Sequence, residues 1–353
     1  MKNPAILALT LSIPLSLHAD ILAVPHPQCT FDAKHTVIWT PLFQAAWDEL
    51  TAAHQANEKP KTEPPNQVIE WLDGFTWKKD DVLPKGAWSV VAGPSSPELY
   101  EKANQEAGKL GIVNPFQFNP SSVEGGYAAL ASMLHKVSFS DPFSPSKDVP
   151  LTFKTKDKKE DVRFFGTPNG ERFKNVKVIH YNPRAGSFAL EAKCKGGNDR
   201  VIFYLPAKSG TFADACKNVL LWKNRKDFQQ EDGSLLDVSL QNHEEVRIPY
   251  LSVHCSADFS PLLQGMRKYE NERAPFFISK ANQKLFFQLD EKGARVEATV
   301  EIAEDPFGDR EETYPRLFHF NRPFYTFLWR DQAEWPYLAL WLGDTSAMQV
   351  FPK

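Results

Sequence analysis

The chain has 353 residues, 42% of them hydrophobic and 24% charged, with a net charge of −3. That length buries a proper core, as one large domain or two ordinary ones. The near-neutral charge argues against a nucleic-acid or anionic-membrane partner. The 26 Phe and 27 Pro against 4 Met favour strands broken by turns over long helical bundles.

The N-terminus reads as an export signal over residues 1–19. Lys2 is a short basic start, Ala5 to Leu17 is an apolar run, and Leu17-His18-Ala19 resembles a cleavage site. The run is too short for a membrane span, and no later stretch reaches spanning length. The expected mature protein is therefore soluble. Beyond the signal lie four cysteines, Cys29, Cys194, Cys216 and Cys255. An exported chain permits two disulfides, in three connectivities, or four buried thiols. Their spacing fits no zinc site.

"VIWTPLFQAAWDELTAA" (Val37 to Ala53) carries apolar residues at helical spacing, with Thr40 as cap and Pro41 in the first turn. Gln55 to Gln67 is polar and Pro-rich and predicts a loop. "AWSVVAG" (Ala87 to Gly93) predicts a strand. "SPELYEKANQEAGKLG" after it predicts a helix, with Ser-Pro at its start and Gly at its end. Gly111 to Gly126, with two Pro and three Gly, predicts a loop.

After Tyr127 strand-like runs dominate: "VKVIHYN", "SFALEAKC", "DRVIFYLP", "EVRIPYLSVHCS", "KLFFQLD", "RPFYTFLWRD" and "PYLALWLGD". Short helices are expected at "GTFADACKNVLLWK" (Gly210 to Lys223) and "DFSPLLQGM" (Asp258 to Met266). The chain is mixed α and β with a second half made mostly of sheet. No linker divides it, so a single domain over 20–353 is expected.

No catalytic constellation emerges. There is no GxSxG elbow, HExxH, GxGxxG after a strand, or P-loop. Nine His are scattered without metal-ligand spacing. His254 sits beside Cys255, but neighbours on a strand point to opposite faces, so the pair does not make a site. The carboxylates of "AEDPFGDREE" read as a solvated surface loop. No catalytic residue, metal or cofactor is expected.

Positions 294 to 302 alternate strictly. Ala294, Val296, Ala298, Val300 and Ile302 are apolar, whereas Arg295, Glu297, Thr299 and Glu301 are polar. That is a period-2 strand with one buried and one wet face. It follows Gly293, which frees the backbone at that point, and it runs straight into the acidic loop.

"SKANQKLFFQLDEKG" (Ser279 to Gly293), a loop, and then "RLFHFNRPFYTFLWRDQAEWPYLALWLGD" (Arg316 to Asp344) resemble the C-terminal signature of the serpin family. Asn321, Pro323, Phe324 and Gly343 match the Asn/Asp-x-Pro-Phe return and the final Gly of that pattern. "VRIPYLSVHCSADFSPLLQGM" and "RVIFYLP" resemble two further family strands, and "IWTPLFQAAWDEL" the helix under the sheet opening. The chain departs from the pattern in places. The family's "NAIYFKG" strand is replaced by "ALASMLHKVSFSDPF" (Ala129 to Phe143), and little room remains between Gly111 and Ala129 for a helix across the sheet. Gln283 stands where many members have His. The loop is about five residues longer than usual.

The resemblance implies an α+β fold, with a large central mixed β-sheet, further sheets and short helices. It implies a monomeric inhibitor of serine-type peptidases. A protease would attack an exposed reactive loop, here 294–313, which would then insert into the central sheet. The hinge would be Glu291, Gly293, Ala294, Val296 and Ala298. Taking Glu291 as the first of seventeen loop residues places the scissile bond at Phe307–Gly308, suited to a chymotrypsin-like enzyme. The longer loop leaves Arg310 as a second candidate, suited to a trypsin-like one. Inhibitory members carry small residues along the hinge, and Val296 and Glu297 depart from that. The alternative is therefore a non-inhibitory serpin-fold binding or structural protein. A third, an unrelated secreted enzyme, is disfavoured by the lack of any nucleophile or metal motif.

Overall fold

The structure is a computed structural model. It describes residues 21–55, 58–119, 126–146, 148–167, 174–225, 238–241, 244–272, 274–294 and 316–352. Among the described residues the largest sheet has seven strands. Their order is Ile21–Ala23, Thr36–Trp39, Leu338–Leu342, Phe324–Arg330, Asp199–Leu205, Ser187–Lys193 and Val176–Asn182. The first two strands run parallel and the other neighbours antiparallel, so the sheet is mixed. Several of its strands are buried along their whole length, which is why they read as continuous apolar runs rather than alternations.

The strand Thr36–Trp39 corrects a sequence expectation. The apolar spacing runs from Val37, but Val37 to Trp39, ahead of the Thr40 cap, pair with Trp341, Leu340 and Ala339 in the sheet. The β-branched side chains of Val37 and Ile38 suit the strand. The helix begins only at Leu42 and ends at Ala53. Thr40 marks the joint: its hydroxyl accepts from the Leu42 N–H at 3.3 Å and donates to the Tyr337 carbonyl at 3.0 Å.

Other elements follow their signals. Ser96 caps the helix Pro97–Lys109 by accepting from the Leu99 N–H at 3.3 Å. The helix Phe212–Lys223 starts on a reciprocal Thr211–Asp214 capping box. The polar loop expected over 55–67 contains the short strand Lys61–Glu63, which pairs with Met266–Lys268. "DFSPLLQGM" forms only a 3₁₀ turn, Ser260–Leu262. A four-stranded sheet orders Leu317–His319, Glu245–Pro249, Phe164–Gly166 and Ser144–Pro145. Residues 111–119 form neither helix nor strand.

Gly343 ends the Leu338–Leu342 strand where no side chain fits. A Cβ there would lie 2.4 Å from the carbonyl oxygens of both Ala33 and His35. All four cysteines are buried free thiols, and burial raises the pKa of Cys29 and Cys255 to about 11 and of Cys194 to about 12. Among the described residues no helix is long and apolar enough to cross a membrane.

Candidate functional site

The candidate site is the place where the chain enters the proposed loop. Two antiparallel pairs flank it. One is Trp88–Pro94 with Tyr127–Met133, and the other is Leu251–Asp258 with Asn282–Leu289. Among the described residues no ladder joins Tyr127–Met133 to Asn282–Leu289. Each of these strands therefore has one edge outside any described ladder.

The two pairs meet at one end through the hinge. After Leu289 the chain makes a tight turn in which Asp290 and Gly293 bond each other's backbones, N–H to O, at 2.9 and 3.3 Å. The Asp290 carboxylate accepts from the Lys292 N–H at 2.9 Å and stiffens the turn. Burial raises the Asp290 pKa, and the Lys292 and Gly293 N–H groups oppose that. Gly293 and Ala294 then run antiparallel to Val137–Ser138, with Gly293 opposite Ser138 and Ala294 opposite Val137. Two more backbone bonds close the joint, Phe139 N–H to Lys292 O and Phe143 N–H to Glu291 O, both 2.8 Å.

Gly293 is required by both conformation and space. Its φ is +135°, and a Cβ would lie 2.4 Å from the Val137 oxygen and 2.7 Å from the Ser138 Cα. Ala294 is 4% exposed, beside Val137 at 5% and Leu289 at 1%. The small, apolar start of the alternating run is thus already paired as a short strand with Val137–Ser138. Below it lies an aromatic cluster. Phe139 and Phe143 are edge-to-face at 5.0 Å, and Phe165 meets Tyr250 at 5.2 Å. Burial, and after it the Glu291 carboxylate, push the Tyr250 phenol up.

On the far side of the loop the chain is clamped at Arg316. The Arg316 guanidinium grips the Glu244 carboxylate with two nitrogens, one at 2.9 Å, and donates to the Ser239 carbonyl at 3.0 Å. Glu244 is 3% exposed. The following strand, Leu317–His319, pairs in parallel with Glu245–Pro249, and its Phe318 packs on Phe188 at 5.2 Å. His319 pairs with Glu245 at 2.8 Å; burial lowers the His319 pKa, against the pull of that carboxylate.

Of the site residues expected from sequence, Glu291, Gly293 and Ala294 come together at this joint. Val296, Ala298, Phe307, Gly308 and Arg310 lie outside the described residues, as does the expected signal at 1–19. No local signal marks Val137 and Ser138 as the residues that receive the hinge. The segment noted there for its missing motif does form the strands Tyr127–Met133 and Val137–Ser138. The amide nitrogen and oxygen of Gln283, on the edge strand, are both buried and find no partner among the described residues. Among the described residues no three His, Cys, Asp or Glu side chains converge as metal ligands.

Comparison with known proteins gives a consistent picture. A family profile described as "Serpin (serine protease inhibitor)" matches residues 127–339. Human kallistatin superposes with a TM-score of 0.54 at 14% identity, covering 88% of this chain and 92% of its own. Human thyroxine-binding globulin, solved in complex with thyroxine, also scores 0.54 at 14% identity, with the same two coverages. Tengpin, a thermophilic serpin in its native state, scores 0.56 at 12% identity and covers 90% of each chain. At such identities these structures establish the fold alone. No curated protein matches the chain by sequence.

Proposed function

The chain belongs to the serpin family, and on that premise we propose that it is an exported inhibitor of serine-type peptidases. Residues 1–19 would direct export, and 20–353 would act as one domain. The observation that carries the inhibitory reading is the docked hinge, Gly293–Ala294 between the end of the Asn282–Leu289 strand and Val137–Ser138.

The turn pairing sets a register for insertion. With Gly293 opposite Asp290, continuing the strand puts Ala294 opposite Leu289, Val296 opposite Phe287, Ala298 opposite Leu285 and Val300 opposite Gln283. Residues directly opposite on an antiparallel pair share a face. Leu289 and Phe287 are 1% and 5% exposed, so the apolar half of the loop would land on the buried face. Arg295, Glu297 and Thr299 would lie opposite Gln288, Phe286 and Lys284 on the wetter face. Burying Val296, Val300 and Ile302 would stabilise the inserted state by ~1.5–3 kcal/mol each, an upper estimate.

The mechanism follows from two anchors. The uncut loop is tied at the hinge and at the Arg316–Glu244 clamp. An attacking serine peptidase would cleave at Phe307–Gly308 or at Arg310 and remain acylated on the new C-terminus. Cleavage frees the hinge side from the clamp. The alternating strand then zips down from Ala294 and carries the peptidase with it. Inhibition requires that zipping outrun deacylation.

A second reading rests on the side chains of the hinge itself. Arg295, Val296 and Glu297 are bulky or charged where small residues insert fastest, and the buried amide of Gln283 would face Val300, which cannot bond it. Slow insertion would leave a non-inhibitory binding protein. Thyroxine-binding globulin, solved with thyroxine, is a protein of this fold with a bound small molecule.

Incubation with chymotrypsin or trypsin and denaturing electrophoresis separates the two readings. A denaturation-resistant complex at the summed mass is expected, and the cleaved bond chooses between Phe307 and Arg310. Clean nicking between 303 and 313 without a complex would leave the second reading.

A further inference from the structure

Away from the hinge, a cavity of about 430 Å³ opens between the hairpin Leu151–Lys154 and Lys159–Val162, the 206–209 turn and the end of the Leu338–Leu342 strand. That volume suits a small molecule. Its walls carry five cations and three carboxylates, and the pairing among them is uneven. Asp157 is held by Lys34 at 2.9 Å, and Glu160 by Lys158 at 2.8 Å. Asp344 accepts from the Thr36 hydroxyl and the Ser346 hydroxyl, both at 2.6 Å.

Lys156, Lys208 and Arg322 remain. Among the described residues none of them makes a direct ion pair with a carboxylate, although Lys156 adds to the field that Lys34 sets at Asp157. Arg322 is the most telling. Its guanidinium donates only to backbone carbonyls, Pro206 at 2.6 Å and Gly186, and burial lowers its pKa. This half-buried guanidinium, held by neutral oxygens, has its charge unneutralised by any carboxylate among the described residues. The rest of the wall mixes apolar groups, among them Pro206, Pro323 and the indole of Trp341, with Thr155, Ser209 and Thr345. A larger cleft of about 610 Å³ beside Lys59–Gly74 offers a contrast. It sets Lys59 and Lys61 against Glu63, Glu70 and Asp73 and has no surplus of positive charge.

We propose that the 430 Å³ cavity binds a small amphipathic organic anion, an aromatic or alkyl body bearing one carboxylate or sulfonate. Lys156, Lys208 and Arg322 hold the anionic group, and the apolar body lies against Pro206 and Pro323. The site is separate from the hinge, so its occupancy does not depend on the inhibitory reading.

The test is a fluorescence titration of the mature chain with 8-anilinonaphthalene-1-sulfonate, run beside its neutral analogue N-phenyl-1-naphthylamine. Lys156→Glu combined with Lys208→Glu is the informative variant, because both side chains are exposed and neither makes a direct ion pair among the described residues. The expected result is saturable binding of the sulfonate, weakened about tenfold or more in the double variant and by added salt. Binding of the neutral analogue should be weaker and insensitive to both. The proposal is overturned if the wild type shows no saturable sulfonate binding, if the correctly folded double variant binds equally well, or if the neutral analogue binds as tightly. Peptidase trapping, measured on the same variant, is expected to be unchanged.

Discussion

Replacing Gly293 with Ala probes the docked hinge with a single methyl group. The new Cβ would lie 2.4 Å from the Val137 oxygen, 2.7 Å from the Ser138 Cα and 3.0 Å from the Phe139 nitrogen. All three are backbone atoms, so no side chain can swing aside. The φ of +135° adds conformational strain, about 1–3 kcal/mol for a non-Gly residue, and overpacking adds about 1–3 kcal/mol. The chain escapes both by leaving the sheet at 293–294. Even about 2 kcal/mol of lost hinge stability speeds local opening about thirtyfold. Opening breaks the Phe139 N–H to Lys292 O bond, so the Phe139 amide reports it. Hydrogen exchange of peptides spanning 137–143 and 290–294 is the assay. Exchange at least about tenfold faster in the variant, with the seven-stranded sheet unaffected, is the expected result. Unchanged exchange at Phe139 would refute the claim that this joint depends on a glycine.

Three further outcomes are expected. Val296→Asp should leave loop cleavage intact but prevent trapping, because insertion would bury an unpaired carboxylate opposite Phe287; trapping at wild-type efficiency would refute the register. His26 is 3% exposed, stacked on Trp71 at 5.7 Å, and burial lowers its pKa to about 4. The folded protein keeps this imidazole neutral while the unfolded chain protonates it near pH 6.5, so its stabilising contribution, about 3 kcal/mol, is lost as pH falls from 6.5 towards 4. His180, also lowered to about 4 by burial, acts in the same direction. The thermal midpoint should fall across that window, and His26→Asn should flatten the slope; an identical slope would exclude His26 as a source. Thiol titration should find four reactive groups after denaturation and slow reaction before it, whereas two disulfides would contradict the buried free cysteines.

Much of the fold was legible because its signals are local. Ser96-Pro97 and Thr211…Asp214 announce helix starts through bonds to their own first turns. The apolar runs at 199–205 and 338–342 are too continuous for anything but buried strands. Misreadings arose where a distant partner decided the outcome. Val37 and Ile38 fit a helical pattern with the residues after them, yet Trp341 and Leu340 draw them into the sheet. Lys61–Glu63 has no strand pattern, and only its pairing with Met266–Lys268 makes it one. At the site, the alternation from Ala294 onward and the demand for glycine at 293 were visible in the sequence. The receiving strand was not, because Val137 lies far upstream of Ala294 in the chain and no local signal links the two.

The central claim is that the loop enters the sheet once it is cut, and thermal denaturation before and after loop cleavage tests it most directly. If the uncut state is held only kinetically, as loop insertion requires, the intact protein should unfold first. The nicked protein, with Val296, Val300 and Ile302 buried and new ladder bonds made, should unfold well above it. A nicked form that melts at or below the intact midpoint would contradict the claim, whatever peptidase made the cut.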